Sequence, residues 1–364
     1  MNKSSFNFDK KRLILGSIAA ACALAMPRSG LRHVVSAAAA WGLGSALLKP
    51  GADDAPADPG EQAVPELIRT ATVNGIAMRW EEHSVTTPDA ATSAEMPVIL
   101  VHGIPTHPRL WRYVIPQVCR PGVRCLAWEL VGFGWSMEEG MEHDISLPKQ
   151  ADFLYDWLKH LNITKAIFVG HDLGGGVLQH LLVKHPELSA GLVLVDSVAY
   201  DNWPVPSVRL AKLKASVIEQ LPPSLFKPLF LTGVYNLGHD NEARRQESIS
   251  LHWQPYARAI GPKAFAHQIS CLDSKDTQAL AGQLSIIRGP KRLVWGDADS
   301  ITFASGQQLA AELNAPLTAI PGGRHFNPED HPGVVSRAIN EVLELAHPHD
   351  AGVDPLVAEG AELA

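Results

Sequence analysis

A chain of 364 residues, 46% hydrophobic and 19% charged, is long and apolar enough to bury a full enzyme core, which argues against general disorder. Its formal charge of −7 is uneven: residues 1–50 hold seven Lys/Arg against one Asp, leaving 24 basic and 37 acidic residues beyond them. That acidic remainder gives no reason to expect a nucleic-acid or acidic-polymer partner.

The first segment in chain order has the pattern of a targeting signal. Lys10-Lys11-Arg12 precedes an apolar run from Leu13 to Met26 that closes on Ala23-Leu24-Ala25, and a second Ala-rich run covers Val34 to Leu48. Each run alone is shorter than the ~20 residues a straight spanning helix needs. The pair therefore predicts export or membrane attachment, as a signal peptide with an interfacial helix or as a hairpin; the alternative is an Ala-rich helix docked on a cytoplasmic protein. Gly51 to Gly60 (GADDAPADPG) reads as a polar linker, so residues 1–60 form a segment of their own.

Beyond the linker the elements alternate. Thr70 to Val73 and Ile76 to His83, joined by Asn74-Gly75, predict an antiparallel hairpin, because Asn-Gly suits a tight type I′ turn. Apolar strands follow at 98–101, 123–128, 165–169, 191–195, 292–295 and 316–320, separated by helical stretches of which Pro148 to Leu161 is the clearest. The alternation predicts an α/β fold with a mostly parallel sheet covered by helices on both faces. Between residues 198 and 288 strand signals stop, and the runs Val208 to Leu221, Glu242 to His252 and Pro262 to Ser270 predict an inserted helical cap. The chain so divides into a core in two parts, 61–197 and 289–346, the cap at 198–288, and an acidic, Ala-rich tail at 347–364 read as disordered.

Gly170-His171-Asp172-Leu173-Gly174-Gly175 carries the chemistry. It follows the apolar Ala166 to Val169 and opens the helical Val177 to Leu182, and this strand, sharp turn and helix have the form of a nucleophile elbow. The residue presented is a carboxylate. Its attack on an acyl carbon would give a reactive anhydride, whereas attack on an alkyl carbon gives an ordinary ester that water can hydrolyse, so the expected substrate carries an electrophilic sp3 carbon. A plainer reading of Asp172 is a helix N-cap, which leaves the glycines and the preceding strand unexplained. Downstream, Arg292 to Trp295 runs into Gly296-Asp297-Ala298-Asp299, and Pro321-Gly322-Gly323-Arg324-His325-Phe326 delivers a histidine on a Gly-rich loop. In the chain order nucleophile, acid, histidine, Asp299 is the expected acid and His325 the base, with Asp196 as the alternative acid and Asp297 behind it. His102 and His171 read as loop-orienting residues. Cys22, Cys119, Cys125 and Cys271 have no metal-ligand spacing and read as plain thiols, so no metal is expected.

Two further stretches complete a pattern: His102-Gly103-Ile104-Pro105 after the strand Val98 to Val101, and Glu129-Leu130-Val131-Gly132-Phe133-Gly134-Trp135-Ser136. With the elbow and the His325 loop, including Phe326 to Pro332 (FNPEDHP), the chain resembles the α/β-hydrolase superfamily over roughly residues 66–346, in its epoxide-hydrolase and haloalkane-dehalogenase branch. Glu129 stands where that branch usually has aspartate. The resemblance implies a covalent alkyl-enzyme ester on Asp172, with the backbone N–H groups of Leu173 and Ile104 as oxyanion hole and His325, oriented by Asp299, activating water. Dehalogenases usually carry Trp and Asn side chains at the positions of Leu173 and Ile104 to hold the halide; neither side chain here donates a hydrogen bond, leaving Trp111, Trp203 or a backbone amide as substitutes. Epoxide hydrolases protonate the ring oxygen from cap tyrosines, for which Tyr200, Tyr235 and Tyr256 are the candidates. The leading expectation is an epoxide-hydrolase-like enzyme for a small apolar substrate, with neither metal nor organic cofactor. The alternatives are a dehalogenase with relocated halide donors and a binding protein that uses the capped pocket without turnover.

Overall fold

The computed structural model describes residues 67–85, 96–231 and 238–346. The hairpin strands β1 (Ile68–Val73) and β2 (Ile76–His83) pair antiparallel. Asn74 and Gly75 both take positive φ, 52° and 84°, as the type I′ turn requires. Six parallel strands follow: β3 (Met96–Val101), β4 (Val123–Trp128), β5 (Ala166–His171), β6 (Ser189–Val195), β7 (Lys291–Gly296) and β8 (Leu317–Ile320). They form one sheet in the order β1-β2-β4-β3-β5-β6-β7-β8, with β2 joined antiparallel to β4. Every residue of β5 and β6 is buried, which is why these strands read as unbroken apolar runs rather than alternating ones: both faces are covered.

A covering helix with one face in solvent buries a single stripe. In α1 (Leu147–His160) the stripe is Leu147, Gln150, Ala151, Leu154, Trp157 and Leu158, spaced three or four apart. The helix α2 (Leu173–Lys184) is buried along most of its length because it packs on β5, β3 and β6 at the centre of the sheet.

Between β6 and β7 the chain leaves the sheet and forms the helical cap. Its helices include α3 (Pro206–Lys212), α4 (Pro223–Phe230), α5 (Glu242–Ala257) and α6 (Gly261–Ser270). Phe226, Phe230, Trp253, Tyr256 and Phe265 form an aromatic cluster in the cap that is continuous with the core over the sheet, with ring centroids from 4.6 to 6.5 Å apart. The single helix expected over Val208–Leu221 is instead two: α3 ends at Lys212, and Lys214 (φ −116°, ψ 16°) leaves helical torsion before a short turn at Ala215–Ile218. No residue of α3 is fully buried and only Val208 and Ala211 pack partly against the core, so packing does little to hold the longer helix together. After the cap, α7 (Phe303–Leu313) links β7 to β8, and α8 (Pro332–Ala346) returns across β6 and β7.

The expectation of export or membrane attachment does not stand. No helix among the described residues is long and apolar enough to cross a membrane. The runs on which the expectation rested, Leu13–Met26 and Val34–Leu48, lie outside the described residues, as do the linker Gly51–Gly60 and the tail from His347.

Candidate active site

The sheet's carboxyl edge presents Asp172 between the end of β5 and the start of α2 at φ 51°, ψ −120°. An L-residue in such a conformation costs on the order of 1–3 kcal/mol and needs its surroundings to enforce it. Glycines make room for it. A Cβ on Gly174 would strike the carbonyls of Val101 and His102, and one on Gly170 would lie 2.7 Å from the Cα and N of Gly175. The turn therefore closes only with these side chains absent, and the Asp172 carboxylate is lifted above the strand ends.

Its two oxygens have different surroundings. Oδ2 accepts the Ile104 N–H at 2.8 Å, and the Leu173 amide also stabilises the carboxylate. Oδ1 lies 3.9 Å from Nε2 of His325. Burial raises the Asp172 pKa; the His325 charge and the two amides pull against it without cancelling it. His325 hangs on the loop after β8, and its Nδ1 meets Asp299 Oδ2 at 3.0 Å. The other oxygen of Asp299 accepts the Ile301 N–H and the Ser300 hydroxyl, each at 3.2 Å. Burial alone would depress the imidazole's pKa, but Asp299, with Asp172 behind it, outweighs that and pushes it up to about 10. The resting site thus favours the cationic form of His325, placed between Asp172 and Asp299. It can present a nucleophile, a base and two convergent amides to one carbon atom.

Asp196 stands beside this line of groups rather than in it. It is fully buried at φ 44°, with Oδ1 accepting the Gly296 N–H at 2.9 Å and Oδ2 the Asn327 Nδ2 at 2.6 Å. Its bonds tie β7 to the His325 loop, and burial with the nearby Asp299 charge raises its pKa well above the ordinary carboxylate range. Asp297 braces the same loop through the Gly322 N–H at 2.7 Å. His102 accepts the Leu130 N–H on Nε2 at 3.0 Å, so its proton sits on Nδ1 and is donated to the Gly103 carbonyl at 2.8 Å. Burial lowers the His102 pKa to about 3, which keeps it neutral. His171 reaches the backbone carbonyl of His325 through Nε2 at 2.8 Å, placing His325 directly beside the residue that precedes Asp172.

The sequence profile of the alpha/beta hydrolase fold matches residues 96–332. The chain belongs to the alpha/beta hydrolase fold family. It is similar to hydrolase YugF of Bacillus subtilis (strain 168), 25% identical over 279 residues that cover 76% of this chain and 98% of the relative. Haloalkane dehalogenase 2 of Mycobacterium tuberculosis (strain ATCC 25618 / H37Rv) is 27% identical over 263 residues, 67% of this chain and 87% of the relative. Among solved structures, an epoxide hydrolase without ligand superposes with a TM-score of 0.60 at 20% identity, covering 77% of this chain and 98% of its own, a likeness of fold. The resemblance to the epoxide-hydrolase and haloalkane-dehalogenase branch is thereby met, and the chain is an α/β-hydrolase-fold enzyme.

In this hydrolase the residues expected to meet substrate have other engagements. The Tyr200 hydroxyl donates to Glu312 at 2.6 Å, Tyr256 to Gln268 at 2.8 Å, and the Trp203 indole N–H to Thr277 at 2.6 Å. Trp111 is fully buried with no hydrogen-bond partner on its indole nitrogen. Tyr235 lies outside the described residues. Among the described residues no group of His, Cys, Asp and Glu is arranged to hold a metal ion. The unusual Glu129 is buried, accepts the Ser136 hydroxyl at 2.5 Å and lies 3.9 Å from the Arg79 guanidinium. Burial raises its pKa to about 7, the hydrogen bond and Arg79 opposing. Sequence reasoning missed a second polar set around the His325 loop: Asn327, Glu329 and Asp330 with His239 and His252 of the cap. Its one sequence signal was the charged stretch FNPEDHP itself.

Proposed function

We propose that this hydrolase opens a small, apolar epoxide through a covalent ester on Asp172. The observation that carries the reading is the asymmetry of the Asp172 carboxylate, with Oδ2 held by the Ile104 amide and Oδ1 left facing the site near His325. Oδ1 attacks a ring carbon, the C–O bond breaks, and the ring oxygen becomes a hydroxyl. The ring oxygen takes its proton from solvent, so the opening step does not itself require His325; the imidazolium, whose hold on its proton weakens once ester formation removes the Asp172 charge, gives that proton to the hydroxide so formed and is left neutral. Neutral His325 then takes a proton from water, and the hydroxide adds to the Asp172 ester carbonyl. The charge that develops falls on the oxygen already bonded to the Ile104 amide, with the Leu173 amide also acting on the carboxylate, so the Ile104 donor needs no rearrangement. Collapse breaks the acyl–oxygen bond, returns the carboxylate and the imidazolium, and releases a diol.

An epoxide is favoured over a haloalkane because halide departure needs N–H donors aimed at the leaving atom. Leu173 and Ile104 offer none from their side chains, the Trp203 N–H is committed to Thr277, and the Trp111 N–H, though without a partner, is fully buried. The test pairs styrene oxide with 1-bromobutane, measuring diol and bromide in parallel, and follows His325→Gln by intact-protein mass spectrometry. Diol without bromide is expected from the unaltered enzyme, and an adduct mapped to Asp172 from the variant. Bromide without diol would transfer the reading to a dehalogenase; retained binding with neither product would mark a pocket without turnover.

A further inference from the structure

The loop that carries His325 is bonded to one short stretch of the cap. The carbonyl of Gly238 accepts the backbone N–H groups of both His325 and Phe326, at 3.0 and 2.9 Å. The Phe326 ring stacks on the His239 ring at 4.5 Å and 20°, and a Cβ on Gly238 would overlap the Phe326 ring, so the contact is close along its whole length. Arg324 donates to the His239 carbonyl at 3.2 Å.

One side chain secures this stretch from the core side. The Asp330 side chain is buried, and its Oδ1 meets His239 Nδ1 at 2.9 Å while its Oδ2 accepts the Asp240 N–H at 2.9 Å. Next to it, His331 Nε2 lies 2.7 Å from Asp240 Oδ2. Glu329, fully buried, binds Arg112 from the segment after the Ile104 turn and His252 of α5 at 3.1 Å. The proposed base is therefore placed as much by the cap as by β8. Neither Glu329 nor Asp330 touches Asp172, so their effect on chemistry must pass through the loop.

We propose that Asp330 is a positioning residue that clamps Gly238–Asp240 of the cap onto the His325 loop, so that the cap must be seated before the imidazole stands ready to activate water. The kinetic part of this rests on the aspartyl-ester reading above. Attack by Asp172 needs no base and should tolerate a loosened loop; hydrolysis of the ester, which needs His325 in place, should not.

The full chain is compared with Asp330→Asn and with His331→Ala, a milder change at a half-exposed position that leaves the buried contacts intact. Hydrogen–deuterium exchange of peptides covering 322–331 and 238–244 is read together with single-turnover formation and decay of the styrene oxide adduct. In Asp330→Asn, exchange in both peptides should quicken about tenfold while that of β5 is unchanged. Adduct decay should slow about tenfold, with adduct formation within about twofold of the unaltered enzyme. His331→Ala should move the same observables in the same direction by about twofold. Unchanged exchange at 322–331 in both variants overturns the clamp, and equal slowing of adduct formation and decay overturns the positioning role. If no adduct forms in any variant the aspartyl-ester reading fails by itself, and the exchange data still decide whether the clamp exists.

Discussion

Asp299→Asn keeps the shape of the group beside His325 and removes its charge. The imidazole stands at about 10 against 6.5 for an ordinary histidine, a preference for the cation on the order of 5 kcal/mol that Asp299, Asp172 and Asp196 supply against burial. Asp299 is the one in direct hydrogen-bond contact, at 3.0 Å, so its neutralisation should bring the imidazole pKa down. An NMR titration of the His325 ring in both proteins reads this directly. The linkage has a definite sign: a group protonated more readily in the folded state stabilises fully below pH 6.5, and that stabilisation is lost as pH rises through about 10. The melting temperature of the unaltered enzyme should accordingly fall more steeply between those values than that of the variant. Hydrolysis of the ester should drop by about 10³–10⁴-fold, because the imidazole loses the partner that fixes its tautomer, while adduct formation on Asp172 persists. The reasoning is refuted if the His325 titration stays near that of the unaltered enzyme, or if Asp196→Asn abolishes ester hydrolysis where Asp299→Asn does not.

Three other substitutions probe the frame. Gly174→Ala drives a methyl into the Val101 and His102 carbonyls and should cost about 3 kcal/mol, read as a lowered urea midpoint at unchanged slope. Tyr256→Phe removes the hydroxyl bond to Gln268 and should cost about 1 kcal/mol while turnover of styrene oxide stays within about threefold; a larger loss of turnover would assign that hydroxyl to ring-oxygen protonation instead. Glu129→Gln should gain on the unaltered enzyme in thermal stability from pH 4.5 to about 7 and keep a constant margin above, since a buried carboxyl with a raised pKa stabilises only while protonated. A margin that shrinks with rising pH would mean that Arg79 satisfies the Glu129 charge.

Much of this arrangement is written in local pattern. Strands β5 and β6 are legible as apolar runs because both of their faces are covered, and the elbow is legible because its glycines are required by contacts a few residues away. Asp299 and His325 follow from chain order along a parallel sheet. What local pattern cannot carry is pairing across the fold. The partner of the Tyr200 hydroxyl, Glu312, lies in a helix beyond the cap, so the sequence offers a free phenol where the structure has a bound one. FNPEDHP is visible as a motif, yet the tasks of Asn327, Glu329 and Asp330 depend on Asp196, His252 and His239, all distant in sequence. The split of the cap helix at Lys214 has a different cause: α3 has no fully buried residue and meets the core only through the partly buried Val208 and Ala211, so packing adds little to keep the two pieces in one helix.

The unequal setting of the two Asp172 oxygens implies an isotopic memory. On the proposed route Oδ1 departs with each product, and an oxygen atom from water takes its place, while Oδ2 stays under the Ile104 amide. In heavy-oxygen water the first diol would then leave with the old atom, and every later one with the solvent atom installed in the preceding cycle. Oδ2 would keep its original isotope through many turnovers, one oxygen a permanent resident and the other a passenger. Only a rotation of the carboxylate about its Cβ–Cγ bond, breaking the Ile104 hydrogen bond, would let the label reach both. The isotopic composition of Asp172 after many cycles thus records how often the nucleophile lets go of its oxyanion hole.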